Sequence, residues 1–396
     1  MNPTQRIPGH RSLHSPGPTR VPDEVVHAMS RQPMDLADPR VDESIAACEA
    51  GLKQLLHTAS AKVFMYAANG HGAWEAVIAN LIAPGQTVLV PGTGHFSESW
   101  AVQTEALGGQ VVRTPCVDGY ALDVDAVERV LRADTNRQIV AVFAVHTDTA
   151  SSLSADLVGL RATMNATGHP ALLVVDVVAS LGAAPFAMDA SGANVVLGAS
   201  QKGLMVHPGL CFVAADAAAM AVAARNPTPR FYWDWQLRDS PLSYRKFCGT
   251  PPQGLVMGLQ ASLELIFSEG LTHVFARHRL NANAVHAAVA RWSDGGALQF
   301  FGRLPASRSV SVTTVQVAPG IDPEAMRTVA RERFQVAIAG GLGSMTGRAF
   351  RIGHLGDMNA AMILGCLAGV EAAMTECNIP FGKGGVEQAV ACLAQG

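Results

Sequence analysis

Short, unbroken apolar runs recur through the first half of this chain, and each stops at polar or glycine-rich residues. They are Lys62–Tyr66, Thr87–Val90, Ile139–Val145, Ala171–Val175, Asn194–Leu197 and Leu210–Ala214. Runs of this length, rich in β-branched side chains, suit strands buried on both faces of a sheet. Segments of helical spacing separate them, for example Asp123–Leu131 and Leu153–Thr167. This alternation predicts an α/β fold built on a doubly wound, mostly parallel sheet. Beyond Gly270 the pattern becomes that of a smaller α+β unit. It has a helix over Val274–Arg291, strands near Ser309–Val317, a helix near Pro323–Phe334 and a strand-like Ala349–Gly353. The predicted organisation is a flexible tail over residues 1–14, a large domain over 15–269 and a small C-terminal domain over 270–396.

In open α/β sheets the ligand site lies outside the carboxyl ends of the strands. Ala171–Val175 stops at Asp176, and Asn194–Leu197 runs through Gly198-Ala199-Ser200-Gln201 to Lys202. Both residues therefore face one crevice. Taken singly, an Asp at a strand end is a common cap, and a Lys after Gln is commonly solvated. Taken together they are an amine that can form a Schiff base and a carboxylate that can pair with a pyridinium nitrogen. Those are the two groups that pyridoxal 5'-phosphate requires.

Other segments carry weaker signals. Asn69-Gly70-His71-Gly72 joins a strand to a helix, where backbone N–H groups and the helix dipole favour a phosphate. His71 itself reads equally as a helix cap. Phe96, after a Gly-rich loop, can stack on a flat ring or pack in the core. His146–Ser152 is a polar cluster at a strand end. Arg351, flanked by apolar residues, can grip a carboxylate through two N–H groups or serve a buried ion pair. The aromatic run Phe231–Trp235 suits either a subunit contact or local packing.

Composition narrows the class. Of 396 residues, 49% are apolar and 15% charged, so a large buried core is expected and a disordered chain is excluded. A formal net charge of -3 without basic clusters argues against nucleic-acid binding. Seven cysteines are scattered without a CxxC pair, which suits a reducing compartment and disfavours a disulfide framework or a zinc site. The segment Met1–Ser15 has no apolar core of a secretory signal, and no run approaches the length of a membrane span. A cytoplasmic enzyme is expected, with no metal and no membrane partner. A nicotinamide dehydrogenase would suit the sheet but needs GxGxxG after its first strand, which is missing.

From about Ser15 to about Ala373 the chain resembles a class V (fold type I) pyridoxal-phosphate aminotransferase of the serine/alanine/aspartate–glyoxylate group. The carriers are Pro16-Gly17-Pro18-Thr19, Gly70-His71 with Trp74-Glu75, Asp176–Ser180, Gly198–Lys202, Gly340–Gly343 and Arg351–Gly356. The resemblance implies that Lys202 carries the cofactor as a Schiff base and shuttles protons, and that Asp176 pairs with the pyridinium nitrogen. It places Phe96 on the cofactor ring and the Thr149 hydroxyl beside it. Asn69, Gly70, His71 and Gln201 fall at phosphate-binding positions, and Thr250 would reach the phosphate of a neighbouring subunit, which implies a homodimer. Arg351 would bind the substrate carboxylate. The implied activity is ping-pong transfer of an amino group from serine, alanine or aspartate to glyoxylate or a related 2-oxoacid. Ureidoglycine–glyoxylate transamination and a class V lyase or desulfurase are the alternatives, with Cys248 the cysteine nearest the expected site. Two departures stand out. Phe247 replaces the usual Tyr three residues before the phosphate Thr, so one hydrogen bond to a charged group, about 1.5–3 kcal/mol, is lost and weaker cofactor retention is expected. Asp35-Leu36-Ala37 replaces an Asp-His-Arg sequence, which leaves the amino donor open.

Overall fold

The structure, a computed structural model, describes residues 7–395. In chain order its strands are β1 (Ser12–His14), β2 (Lys62–Tyr66), β3 (Thr87–Val90), β4 (Gln110–Arg113), β5 (Ile139–Val145), β6 (Thr147–Asp148) and β7 (Leu153–Ser154). They continue as β8 (Leu172–Asp176), β9 (Val195–Ala199), β10 (Cys211–Ala215), β11 (Leu298–Phe300), β12 (Val312–Val317), β13 (Val336–Gly340) and β14 (Ala349–Gly353).

The larger sheet has the order β2-β10-β9-β8-β5-β3-β4. Neighbours from β4 through β9 pair parallel, while β10 is antiparallel to both β9 and β2. Strand β2 therefore runs with the parallel set, and the carboxyl ends of six strands gather along one edge. Alternate residues feed two cores. Val63, Leu173, Val175 and Val196 pack on one face, and Phe64, Val174, Val195 and Leu197 on the other. Each such side chain, when fully buried, contributes about 1.5–3 kcal/mol, so the unbroken apolar runs are what a two-sided burial demands. The smaller sheet has the order β1-β13-β14-β12-β11. It packs on helices Leu271–Ser293, Pro323–Arg333 and Ala360–Glu376 around Trp292, Met326, Phe350 and Val370.

Some expectations need correction. The tail predicted over residues 1–14 ends earlier, because Ser12–His14 pair parallel with Val336–Ile338 and His14 is fully buried. Residues 1–6 of that tail lie outside the described residues. The helix expected from Leu153 begins at Leu157, where Asp156 caps it by accepting the Gly159 N–H at 2.9 Å, and Leu153–Ser154 turn back against Thr147–Asp148 instead. Among the described residues no helix is long and apolar enough to cross a membrane, and no His/Cys/Asp/Glu group is arranged to hold a metal.

Candidate active site

A cavity of about 280 Å³ opens at the carboxyl edge of the larger sheet. Of the residues singled out in the sequence, Asn69, Gly70, His71, Phe96, Thr149, Asp176, Gln201 and Lys202 line it. Thr250 and Arg351 do not.

Asp176 is the last residue of β8, paired with Val145 on one side and Leu197 on the other. Its carboxylate accepts the Val178 N–H at 2.7 Å and the Trp74 indole N–H at 2.8 Å. Burial pushes its pKa up to about 6, against the pull of those two donors. Lys202 follows β9 by three residues and is 9% exposed. Burial, then the nearby Arg351 guanidinium, brings its pKa down to about 8. Its Nζ donates to the Pro16 carbonyl at 2.7 Å. At pH 7 about a tenth of this amine is therefore unprotonated and nucleophilic, and the fraction rises to about half near pH 8.

The helix Gly70–Leu81 starts at the cavity, capped by Asn69, whose side chain accepts the Gly72 N–H at 3.3 Å. Phe96 lies in the first turn of helix His95–Ala106, and its backbone N–H donates to Asp148 at 2.8 Å. Asp148 is fully buried and also accepts from Ala150 at 2.9 Å, so it ties the Phe96 turn to the Thr149 turn. The Thr149 carbonyl accepts from Arg351 Nη1 at 2.9 Å, and Arg351 Nε donates to Gly340 at 2.6 Å. Arg351 thus stands one residue behind the wall, with Nη2 unengaged among the described residues. Burial lowers its pKa to about 10.

Two further placements bear on the sequence reading. Phe247 is 4% exposed and belongs to the core beneath the sheet rather than to an open surface beside the exposed Thr250. The aromatic run packs largely within the chain, since Trp235 is fully buried and stacks on Phe64 at 5.7 Å, and only Phe231 stands well out. The sequence reading missed that Trp74 holds Asp176 and that Gly17 and Pro18 form one wall of the cavity. The Pro-Gly-Pro run was the available signal for the wall.

These groups fit pyridoxal phosphate. A buried amine and a buried carboxylate share one cavity, an aromatic side chain and a hydroxyl residue flank them, and a helix N-terminus closes one end. The Oε1 of Gln201 is buried without a partner among the described residues. Turned about its terminal torsion, the same amide would present N–H groups to an anion.

An open α/β sheet with this pair at its carboxyl edge defines a pyridoxal-phosphate enzyme of fold type I. Comparison with known proteins narrows the class: the family model "Aminotransferase class-V" matches residues 12–350, and the chain belongs to that family. It is 36% identical to the L-aspartate–glyoxylate aminotransferase of Paracoccus denitrificans, over 93% of this chain and 92% of that one. It is 34% identical to the serine–glyoxylate aminotransferase of Methylorubrum extorquens, over 96% and 94%. Among solved structures, the ureidoglycine–glyoxylate aminotransferase of Bacillus subtilis superposes with a TM-score of 0.89 at 25% identity, covering 99% of this chain and 100% of that one.

Proposed function

We propose that this chain transfers the amino group of a small L-amino acid (serine, alanine or aspartate) to glyoxylate or a related 2-oxoacid, by a ping-pong route. The observation that carries the reading is the Asp176–Lys202 pair, both buried at adjacent strand ends of one cavity. The named activities of the two curated relatives support the substrate class.

Each residue has a defined task. Lys202 would hold the cofactor through its amine, and that amine, when free, would take the substrate α-proton and return it. Pyridoxal phosphate, when bound, supplies the electron sink that lets this proton leave. Asp176 would face the cofactor's ring nitrogen and favour its protonated form. Asn69, Gly70, His71 and Gln201 hold the phosphate, joined by Thr250 from a second copy of the chain. Phe96 and the Thr149 hydroxyl, both lining the cavity, would flank the cofactor. Arg351 meets the substrate carboxylate with its free N–H groups. The exposed position of Thr250 is compatible with a role across a homodimer interface. All seven cysteines are free, which suits the cytoplasm.

Ureidoglycine as donor is the second reading, favoured by the close structural match to an enzyme of that name. A desulfurase is disfavoured, because none of the cysteines, Cys248 included, lines the cavity. The test is a panel of single donors with glyoxylate, read as glycine formed, with parallel double-reciprocal plots expected for ping-pong kinetics. Glycine formation from serine, alanine or aspartate is the expected result. Formation only from ureidoglycine selects the second reading, and none from any donor contradicts both.

A further inference from the structure

We propose that the segment Ser15–Thr19 is the berth of the free Lys202 amine: the Pro16 carbonyl holds it at the cavity wall, and Gly17 is the positioning residue that leaves it room. The inference rests on the reading that Lys202 is the cofactor lysine.

Three observations converge. The 2.7 Å contact with Pro16 is the only hydrogen bond made by the Lys202 amine among the described residues, and no backbone N–H competes for that carbonyl. Gly17 has φ +140°, and a Cβ there would lie 2.5 Å from Lys202 Cδ and 2.6 Å from Nζ. The backbone conformation favours glycine, and a side chain there would have to push the end of the Lys202 side chain out of its place. The segment is also fixed at both ends. Toward the larger sheet, Thr19 donates its hydroxyl to the Lys202 carbonyl at 2.9 Å and its N–H to Gln201 at 3.2 Å. Toward the smaller sheet, β1 pairs with β13, and a Cβ on Gly353 would lie 2.5 Å from the Ser15 carbonyl carbon.

The chemistry favours a carbonyl at this place. An amine that is to accept an α-proton must be neutral when it does so. A carbonyl takes one N–H and leaves the lone pair free, without the full negative charge that would hold the amine as ammonium. The berth thus orients the base while leaving it basic. Because the segment belongs to the smaller sheet through β1, the position of that sheet is carried directly to the amine.

The test uses the full chain freed of cofactor and a readout independent of turnover. Reductive methylation with formaldehyde and cyanoborohydride is followed across pH, and the Lys202 peptide is quantified by mass spectrometry. Wild type should show a midpoint near the lowered value of about 8. Gly17→Ala and Thr19→Val should move the midpoint toward 10.5 as the amine becomes solvated, so that Lys202 methylates more slowly than in wild type near pH 8 and faster only on the plateau above the new midpoint. The loaded variants should keep the KM for the donor but lose up to about a hundredfold in kcat, the scale expected for a misplaced reacting group. Thr19→Ser should restore both readouts. If Gly17→Ala fails to fold, Thr19→Val and its rescue carry the test alone. Wild-type methylation profiles and kcat in both Thr19→Val and any folded Gly17→Ala would overturn the berth. Failure of the cofactor reading shows separately, as cofactor fixed to a lysine other than Lys202.

Discussion

Asp176 is pulled in two directions. Burial favours its neutral form, while the Val178 amide and the Trp74 indole favour the carboxylate. The indole is itself immobilised, stacked on Trp100 at 5.5 Å, which stacks in turn on Phe143 at 4.5 Å. Trp74→Phe keeps an aromatic ring there and deletes one N–H. A hydrogen bond to a charged group is worth about 1.5–3 kcal/mol, so Asp176 should titrate about one to two pH units higher. The pH dependence of cofactor affinity reads this shift, and an unmoved profile would deny Trp74 that role. Asp176→Asn removes the negative partner altogether and should cost about 10²–10³-fold in kcat, the scale of one preorganised electrostatic partner. Lys202→Ala should give no turnover. Phe247→Tyr tests a different point. Its hydroxyl would enter a closed apolar core, and leaving it unpaired costs about 1–3 kcal/mol. A lowered Tm without tighter cofactor binding is expected; tighter binding at unchanged Tm would reinstate the phosphate contact suggested by the sequence.

Strands β8 and β9 turn sequence into geometry. Their parallel register, Asp176 opposite Leu197, brings the two loaded ends together. Gly198 on β9 faces Phe212 on β10, and a Cβ there would lie 2.5 Å from the ring Cζ. Gly198→Ala should therefore overpack the sheet and cost about 1–3 kcal/mol, seen as a lower Tm; an unchanged Tm would mean that the ring moves freely. These central strands were legible because burial on both faces leaves an unbroken apolar signature, and the two residues that end it stand out by contrast. The site contacts were less so. Trp74 reaches Asp176 across 102 positions, and Lys202 reaches Pro16 across 186, distances over which no local period survives. Strand β1 has only three residues, too few for alternation to register. The helix Ala360–Glu376 buries Ile363, Cys366, Leu367, Val370 and Met374 in an almost wholly apolar sequence, so no polar stripe marks it. Arg351 could be flagged by its apolar neighbours, but its place behind Thr149 depends on how β14 meets the larger sheet.

At the scale of the molecule, buried histidines set the acid limit. Burial lowers His14, His146, His278 and His286 to about 4, from an ordinary 6.5. The unfolded chain then binds more protons than the folded one between those values, so stability falls as pH drops below 6.5 and the loss is complete near 4. Asp176, raised from 3.8 to about 6, acts in the opposite sense and offsets one group of the four. Thermal melts across this window should show a falling Tm, and a flat or rising Tm would show that the histidines are not held neutral by the fold. The central claim is that the crevice between Asp176 and Lys202 holds pyridoxal phosphate. Its most direct test is borohydride reduction of the cofactor-loaded protein followed by peptide mass spectrometry. The account predicts a pyridoxyl group on Lys202. The same group on Lys53, Lys62, Lys246 or Lys383, or on no lysine, would contradict it.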